Sequence, residues 1–360
     1  MNLEHHRRRT GGWLALAIVC ASLLVLAAFV IVRAHPSYSA LIKIDSNGTT
    51  RLGPLPLRNT NIRDAAFTVL SHLNSRSTVS VSGTSARACR LGGILDPIHA
   101  IVLALVQGLS EFLPISSSGH LVLVPYLFGW EDQGLAFDVA VHVGTLFAVI
   151  AYFRRELIAM TRAFFGSLTG SGLTPDARLA WCVLLGTIPV GIAGLAFGSV
   201  IEETLRNPVA VGTTLSVFGA LMWLADRFGR RERDEYSVSW RDAILIGLSQ
   251  ALALMPGTSR SGVTMTMART LGLTREGAAR FSFLLAVPGI AMAGAYEGLK
   301  VAMDENHAVD WPVVALGVAV AAVTGYLCIA WLLRVINRIG LGPFAIYRFL
   351  VAGLLFWIYA

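Results

Sequence analysis

The chain has 360 residues, of which 55% are hydrophobic and 14% charged, and its mean hydropathy is +0.64. That is too little charge to coat a soluble protein of this size, so the composition marks a multi-spanning membrane protein. The net charge of +7 does not mark a nucleic-acid binder, because the basic residues sit in short loops between apolar runs.

Arg7, Arg8 and Arg9 precede an apolar run from Gly12 to Val32, which is long enough for a bilayer span and longer than the core of a signal peptide. Residues 1–33 are therefore expected to form a cytoplasmic tip and an uncleaved N-terminal transmembrane anchor. Residues 34–95 are rich in Ser, Thr, Asn and Arg and read as a flexible, polar, extracytoplasmic spacer. A small β fragment around "YSALIKIDSNGTTRL" is expected within it, with Asn47-Gly48 as the turn. Three of the four cysteines (Cys20, Cys182, Cys328) lie in apolar segments and Cys89 stands alone, which argues against a disulfide framework or a cysteine metal site.

From Asp96 to Ala360 a membrane-embedded domain is expected. Full-length spans fit residues 135–153, 179–200, 208–226, 278–298, 311–333 and 343–360. Two more apolar stretches, 97–128 and 240–270, are each interrupted near the middle by Pro and a Ser/Gly cluster, so each reads as two half-helices around a break. "HAIVLALVQGLSEFLPISSSG" (99–119) and "DAILIGLSQALALMPGTSRSG" (242–262) follow one order of apolar helix, Gln, Pro, hydroxyls and Gly, a repeat with a period of about 143 residues. Loops 154–178, 227–242, 269–280 and 334–342 carry 4, 5, 3 and 2 Lys/Arg, against 0, 1 and 1 for 129–134, 201–207 and 299–310. The first group is then cytoplasmic, and the two breaks enter from opposite faces. The expected fold is an all-α polytopic membrane protein with an inverted repeat (halves about 96–226 and 240–360), two re-entrant broken hairpins and about six core transmembrane helices.

The chemistry concentrates at the breaks. Gln107 and Glu111 are four apart on one helix face, and an ionised Glu inside a bilayer calls for a cavity or a partner. After Pro114, the hydroxyls of Ser116, Ser117 and Ser118 fall where a second half-helix begins, with His120 close behind, and a helix N-terminus suits an anion. In "PGTSRSGVT" (256–264), Arg260 offers a forked donor set for phosphate oxygens, flanked by Ser259 and Ser261 with Thr264 one turn on. Together these groups suit phosphoryl transfer from an anionic lipid, with Glu111 and Gln107 as oxygen ligands for Mg²⁺. Asp138 and His142 are read as structural. A secondary transporter or flippase for an anionic lipid or small anion is the competing reading, and the Ser117/His120 pair argues against it, since transport needs no nucleophile.

At these residues the sequence resembles the undecaprenyl-diphosphate phosphatase family, the bacitracin-resistance type of cell-wall lipid recycling enzyme. The (E/Q)xxxE motif runs from Gln107 to Glu111 and the PGxSRSxxT motif is "PGTSRSGVT"; "EFLPISSSGH", "FSFLLAVP" (281–288) and "PFAIYRF" (343–349) are also similar to family segments. The resemblance spans about Asp96 to Ala360. It implies hydrolysis of the C55 isoprenoid diphosphate to the monophosphate and inorganic phosphate, assisted by Mg²⁺ or Ca²⁺. The site would open to the extracytoplasmic side of a bacterial inner membrane. It marks Glu111, Ser117, His120 and Arg260 as catalytic, and Ser116, Ser118, Gly257, Ser259, Ser261 and Thr264 as phosphate contacts. The nucleophile is left open between Ser117 and His120, and so is assembly as a homodimer. A type-2 phosphatidic-acid phosphatase is discounted, because residues 261–270 lack the His and Asp that its motif requires after the Arg.

Overall fold

The computed structural model describes residues 41–44, 50–53, 96–131, 133–170, 172–205, 208–303 and 310–359. The expected N-terminal anchor and most of the spacer lie outside the described residues. Residues 41–44 and 50–53 belong to a second unit of the chain. Its described part is one antiparallel pair, β1 (Leu41–Ile44) and β2 (Thr50–Gly53), in register Leu41 to Gly53 and Ile44 to Thr50. These strands flank the expected turn.

The membrane domain is helical. Asp96 caps α1 (Pro97–Ser110) by accepting from the Ile98 N–H at 2.7 Å, with Pro97 in the first turn where its missing N–H costs nothing. After the break at 111–116 comes α2 (Ser117–Phe128), closed by Gly129 in the left-handed region. Then follow α3 (Gly134–Tyr152), α4 (Arg154–Leu168), α5 (Pro175–Leu205) and α6 (Pro208–Phe228). A capping box of Ser239 and Asp242 starts α7 (Trp240–Ala251), and the second break leads into α8 (Arg260–Thr270). The chain ends in α9 (Arg275–Met303), α10 (Trp311–Ile339) and α11 (Gly342–Tyr359). Among the described residues, six helices (α3, α5, α6, α9, α10 and α11) are long and apolar enough to cross a membrane, as expected from the sequence.

The pairing of helices is the one that exchanging the two halves preserves. Helix α1 packs on α10 as α7 packs on α5, while α3 pairs with α9 and α6 with α11. Small residues permit the closest approaches. A Cβ on Gly108 of α1 would lie 2.9 Å from the Ala321 carbonyl of α10, and one on Gly247 of α7 would lie 2.5 Å from the Gly186 carbonyl of α5. The central core gathers Phe112, Phe153, Phe281, Phe283 and Leu332, with Phe112 and Phe283 edge to face at 5.4 Å.

One element differs from expectation. Residues 154–168, read as loop, form the amphipathic helix α4: Leu157, Met160 and Phe164 face the core, and Trp181 donates to Ser167 at 3.1 Å to pin the helix on α5. Its apolar positions are spaced for a helix but too sparse for a span.

The arginines of loops 227–242 and 269–280 do more than bias orientation. Asp226 accepts from Arg275 at 2.7 and 2.8 Å and from the Leu341 N–H at 3.0 Å, and it pairs with the fully buried Arg269 at 3.4 Å. Arg280 bridges Glu235 at 2.5 Å and Glu156 at 3.0 Å. The four loops that the charge count groups on one side are thus tied together.

Candidate active site

Both breaks end in a serine at positive φ, Ser116 at 78° and Ser259 at 71°, and these are the only non-glycine cases among the described residues. Each is the N-cap of the following helix, and the two stand 143 residues apart, the period of the repeat. A left-handed serine costs about 1–3 kcal/mol and persists only where the surroundings over-determine it.

The surroundings here are each other. Arg260 Nη2 donates to Glu111 Oε1 at 3.0 Å, and Ser261 Oγ donates to the Leu113 carbonyl at 3.1 Å. Glu111 Oε2 accepts from Ser117 Oγ at 2.7 Å and from Gln107 Nε2 at 3.1 Å. The carboxylate is nearly buried, so an arginine, a hydroxyl and an amide replace the water it has lost. Gln107 and Glu111 meet because they are one helical turn apart; Ser117 reaches back because the break folds α2 against the end of α1.

Several groups face inward without a partner. No side chain caps α2, Ser116 Oγ and Arg260 Nε are buried and unbonded, and so is Gln107 Oε1. An uncapped helix N-terminus beside a guanidinium is a site for a phosphate. Among the described residues no cluster of three or more His, Cys, Asp or Glu could hold a metal. The oxygen donors nearest to that description are the Glu111 carboxylate and the unbonded Gln107 Oε1, a hard pair suited to Mg²⁺ or Ca²⁺ if phosphate oxygens and water complete the shell.

The other predicted residues divide. The hydroxyls of the second break are used within the protein: Ser259 Oγ accepts from the Gly262 N–H at 3.1 Å, and Thr264 Oγ1 donates to the Arg260 carbonyl at 2.8 Å and is hydrogen-bonded to Ser282 Oγ at 2.7 Å. Gly257 takes φ 87° and gives its carbonyl to Arg348 at 2.9 Å. Ser118 is exposed. His120 turns Nδ1 to the Ser116 carbonyl at 2.7 Å and Nε2 to the Tyr347 hydroxyl at 2.5 Å. With Nδ1–H donating to the carbonyl, Nε2 accepts the tyrosine proton, so both ring nitrogens are engaged and neither bonds Ser117.

The family model of bacitracin resistance protein BacA matches residues 100–354. The chain belongs to the BacA family. It is 54% identical to undecaprenyl-diphosphatase 2 of Stutzerimonas stutzeri over 264 residues, 72% of this chain and 97% of that protein. It is 51% identical to the undecaprenyl-diphosphatases of Thioalkalivibrio sulfidiphilus and Nitrosococcus oceani, covering 74% of this chain and 100% of each. Every residue of the cluster around Glu111 falls inside the part matched to the BacA family.

Four residues of the site were not found by sequence reasoning. His142, read as structural, brings Nε2 to 3.7 Å from Glu111 Oε2 while its Nδ1 donates to the Asp138 carbonyl at 2.7 Å. Tyr347 and Arg348 lie in "PFAIYRF" and Ser282 in "FSFLLAVP", segments that carried the resemblance without a role. The signal for Arg348 was an arginine in the middle of an otherwise apolar span.

Proposed function

We propose that the chain hydrolyses undecaprenyl diphosphate to undecaprenyl phosphate and inorganic phosphate, returning the lipid carrier to peptidoglycan synthesis in a bacterial inner membrane and so conferring bacitracin resistance. The observation that carries this reading is the junction of the two breaks, where one buried carboxylate holds both a serine hydroxyl and an arginine beside an uncapped helix N-terminus. The names of the relatives support the substrate.

Ser117 is the nucleophile and Glu111 its base in this reading. Ser117 Oγ already donates its hydrogen bond to Glu111 Oε2 at 2.7 Å, whereas both nitrogens of His120 are occupied. As the hydroxyl attacks the terminal phosphorus, its proton passes to Glu111, the P–O bond to the lipid monophosphate breaks, and a phosphoserine forms. Water then attacks that phosphorus as its bond to Ser117 Oγ breaks; Glu111 returns its proton to the serine oxygen, and the oxygen and both protons of the water leave with the inorganic phosphate. Arg260 and the N–H groups at the start of α2 neutralise the charge gathering on the phosphoryl oxygens. His120, held by Tyr347 and the Ser116 carbonyl, fixes the turn that aims Ser117. Mg²⁺ or Ca²⁺, held by Glu111 and Gln107, would supply further charge neutralisation when bound.

The cytoplasmic grouping of the basic loops supports a site that opens on the extracytoplasmic side. The deciding assay is release of inorganic phosphate from a long-chain isoprenyl diphosphate by the purified chain in Mg²⁺. Binding without phosphate release would leave an anion transporter as the better reading.

A further inference from the structure

Arg348 sits two turns into α11, fully buried, and no carboxylate pairs with it among the described residues. Its guanidinium is instead spent on backbone carbonyls from three places. Nη2 donates to Gly257 at 2.9 Å and Nη1 to Thr258 at 2.9 Å, both in the second break. Nη1 also reaches Pro114 of the first break at 3.4 Å, and Nε donates to Leu215 of α6 at 3.2 Å. Glycines make the slot: a Cβ on Gly262 would lie 2.9 Å from Arg348 Nη1, and one on Gly219 would lie 3.4 Å from Arg348 Cβ.

These carbonyls flank the strained serines. Pro114 stands two residues before Ser116, and Thr258 immediately before Ser259. A helix that breaks inside a membrane leaves carbonyls without N–H partners, and those packed around the fully buried Arg348 must find donors within the protein. A planar fork of five N–H donors on a rigid frame satisfies several at once; an ammonium on a flexible stem does not hold the same spread.

We propose that Arg348 is a positioning residue of the reaction, a clasp that fixes the first break, with Glu111 and Ser117, against the second, with Arg260. This rests on the phosphatase reading. Arg348 bonds none of the reacting side chains; it sets the distance between them.

The test uses Arg348→Lys and Arg348→Ala in the full chain, with the parent alongside. Because a displacement near 1 Å costs about 100-fold in rate, kcat should fall by about 100-fold in both, with KM within about threefold of the parent. Millimolar guanidinium should restore at least about tenfold of the Arg348→Ala loss, since the carbonyls remain in place to bind it. Amide hydrogen exchange should rise together in peptides covering 111–119 and 256–262, while α3 and α10 stay unchanged. The proposal is overturned if Arg348→Lys keeps the parent's kcat, if only one break or neither loosens, or if both variants unfold and guanidinium restores nothing. A parent that releases no phosphate would refute the phosphatase reading instead, and the exchange experiment would still decide whether Arg348 couples the breaks.

Discussion

Replacing Gly257 by Ala tests whether the second break is held as tightly as its geometry implies. Gly257 has φ 87°, where an L side chain costs about 1–2 kcal/mol. Its new Cβ would lie 2.8 Å from the Val211 carbonyl and closer still to Thr214 Oγ1, the hydroxyl that donates to the Pro256 carbonyl at 2.5 Å. Displacing that hydroxyl costs about 1 kcal/mol and crowding the backbone of α6 about 1–3, so the substitution should destabilise by about 3–6 kcal/mol. To reach ordinary contact near 3.4 Å the break must retreat by roughly 0.6 Å, carrying Ser259 and Arg260 with it. On the scale of about 100-fold per ångström, phosphate release per folded molecule should fall by roughly 10- to 100-fold. Thermal unfolding in detergent should shift down by at least about 5 °C. Gly353→Ala in α11, where the added Cβ meets nothing within 4 Å, is the control and should leave both readings unchanged. If Gly257→Ala matches the parent in midpoint and turnover, the reasoning from backbone sign and crowding is wrong.

Glu111→Gln keeps the shape of the carboxylate while removing its basicity, so kcat should fall by about 10²–10⁴-fold with the chain still folded; a rate near the parent's would exclude Glu111 as the base. Ser117→Ala should lose activity to the same degree, and a phosphorylated intermediate trapped by acid quench should disappear with it; persistence of that intermediate would move the nucleophile to His120. Asp226→Asn strands the buried Arg269 and loosens Arg275, so stability should drop by about 3–5 kcal/mol, and an unchanged unfolding midpoint would contradict the network described at that end. Removing divalent cations with a chelator should stop phosphate release and added Mg²⁺ should restore it, with Gln107→Leu requiring more Mg²⁺ than the parent; indifference to the chelator would rule out the proposed oxygen pair.

Spans were legible because length and hydropathy are local properties, and six long apolar runs became six long helices. The breaks were legible for a related reason: Pro114, Pro256 and the serine clusters cannot continue a helix inside oil. The meeting of Glu111 with Arg260, 149 residues apart, followed from the repeat, which turns a long-range contact into a pattern. What stayed hidden depends on geometry that no pattern encodes. Arg348 bonds carbonyls, which every residue has, so its partners leave no mark in the sequence. His142 reaches Glu111 only because α3 lies beside the first break. Helix α4 was missed because a search for spans passes over a helix with only one apolar face.

The two breaks match in the backbone of their N-cap serines and differ in chemistry. Gln107 has its counterpart in Gln250 and Ser116 in Ser259, yet 143 residues after Glu111 stands Leu254, and 143 after Ser117 stands Arg260. The front segment therefore owns the acid and the hydroxyl, and the rear segment owns the cation. Cut between them, in the 229–239 linker, neither piece would be an enzyme alone, and any recovery of turnover on co-expression would report reassembly of the pair.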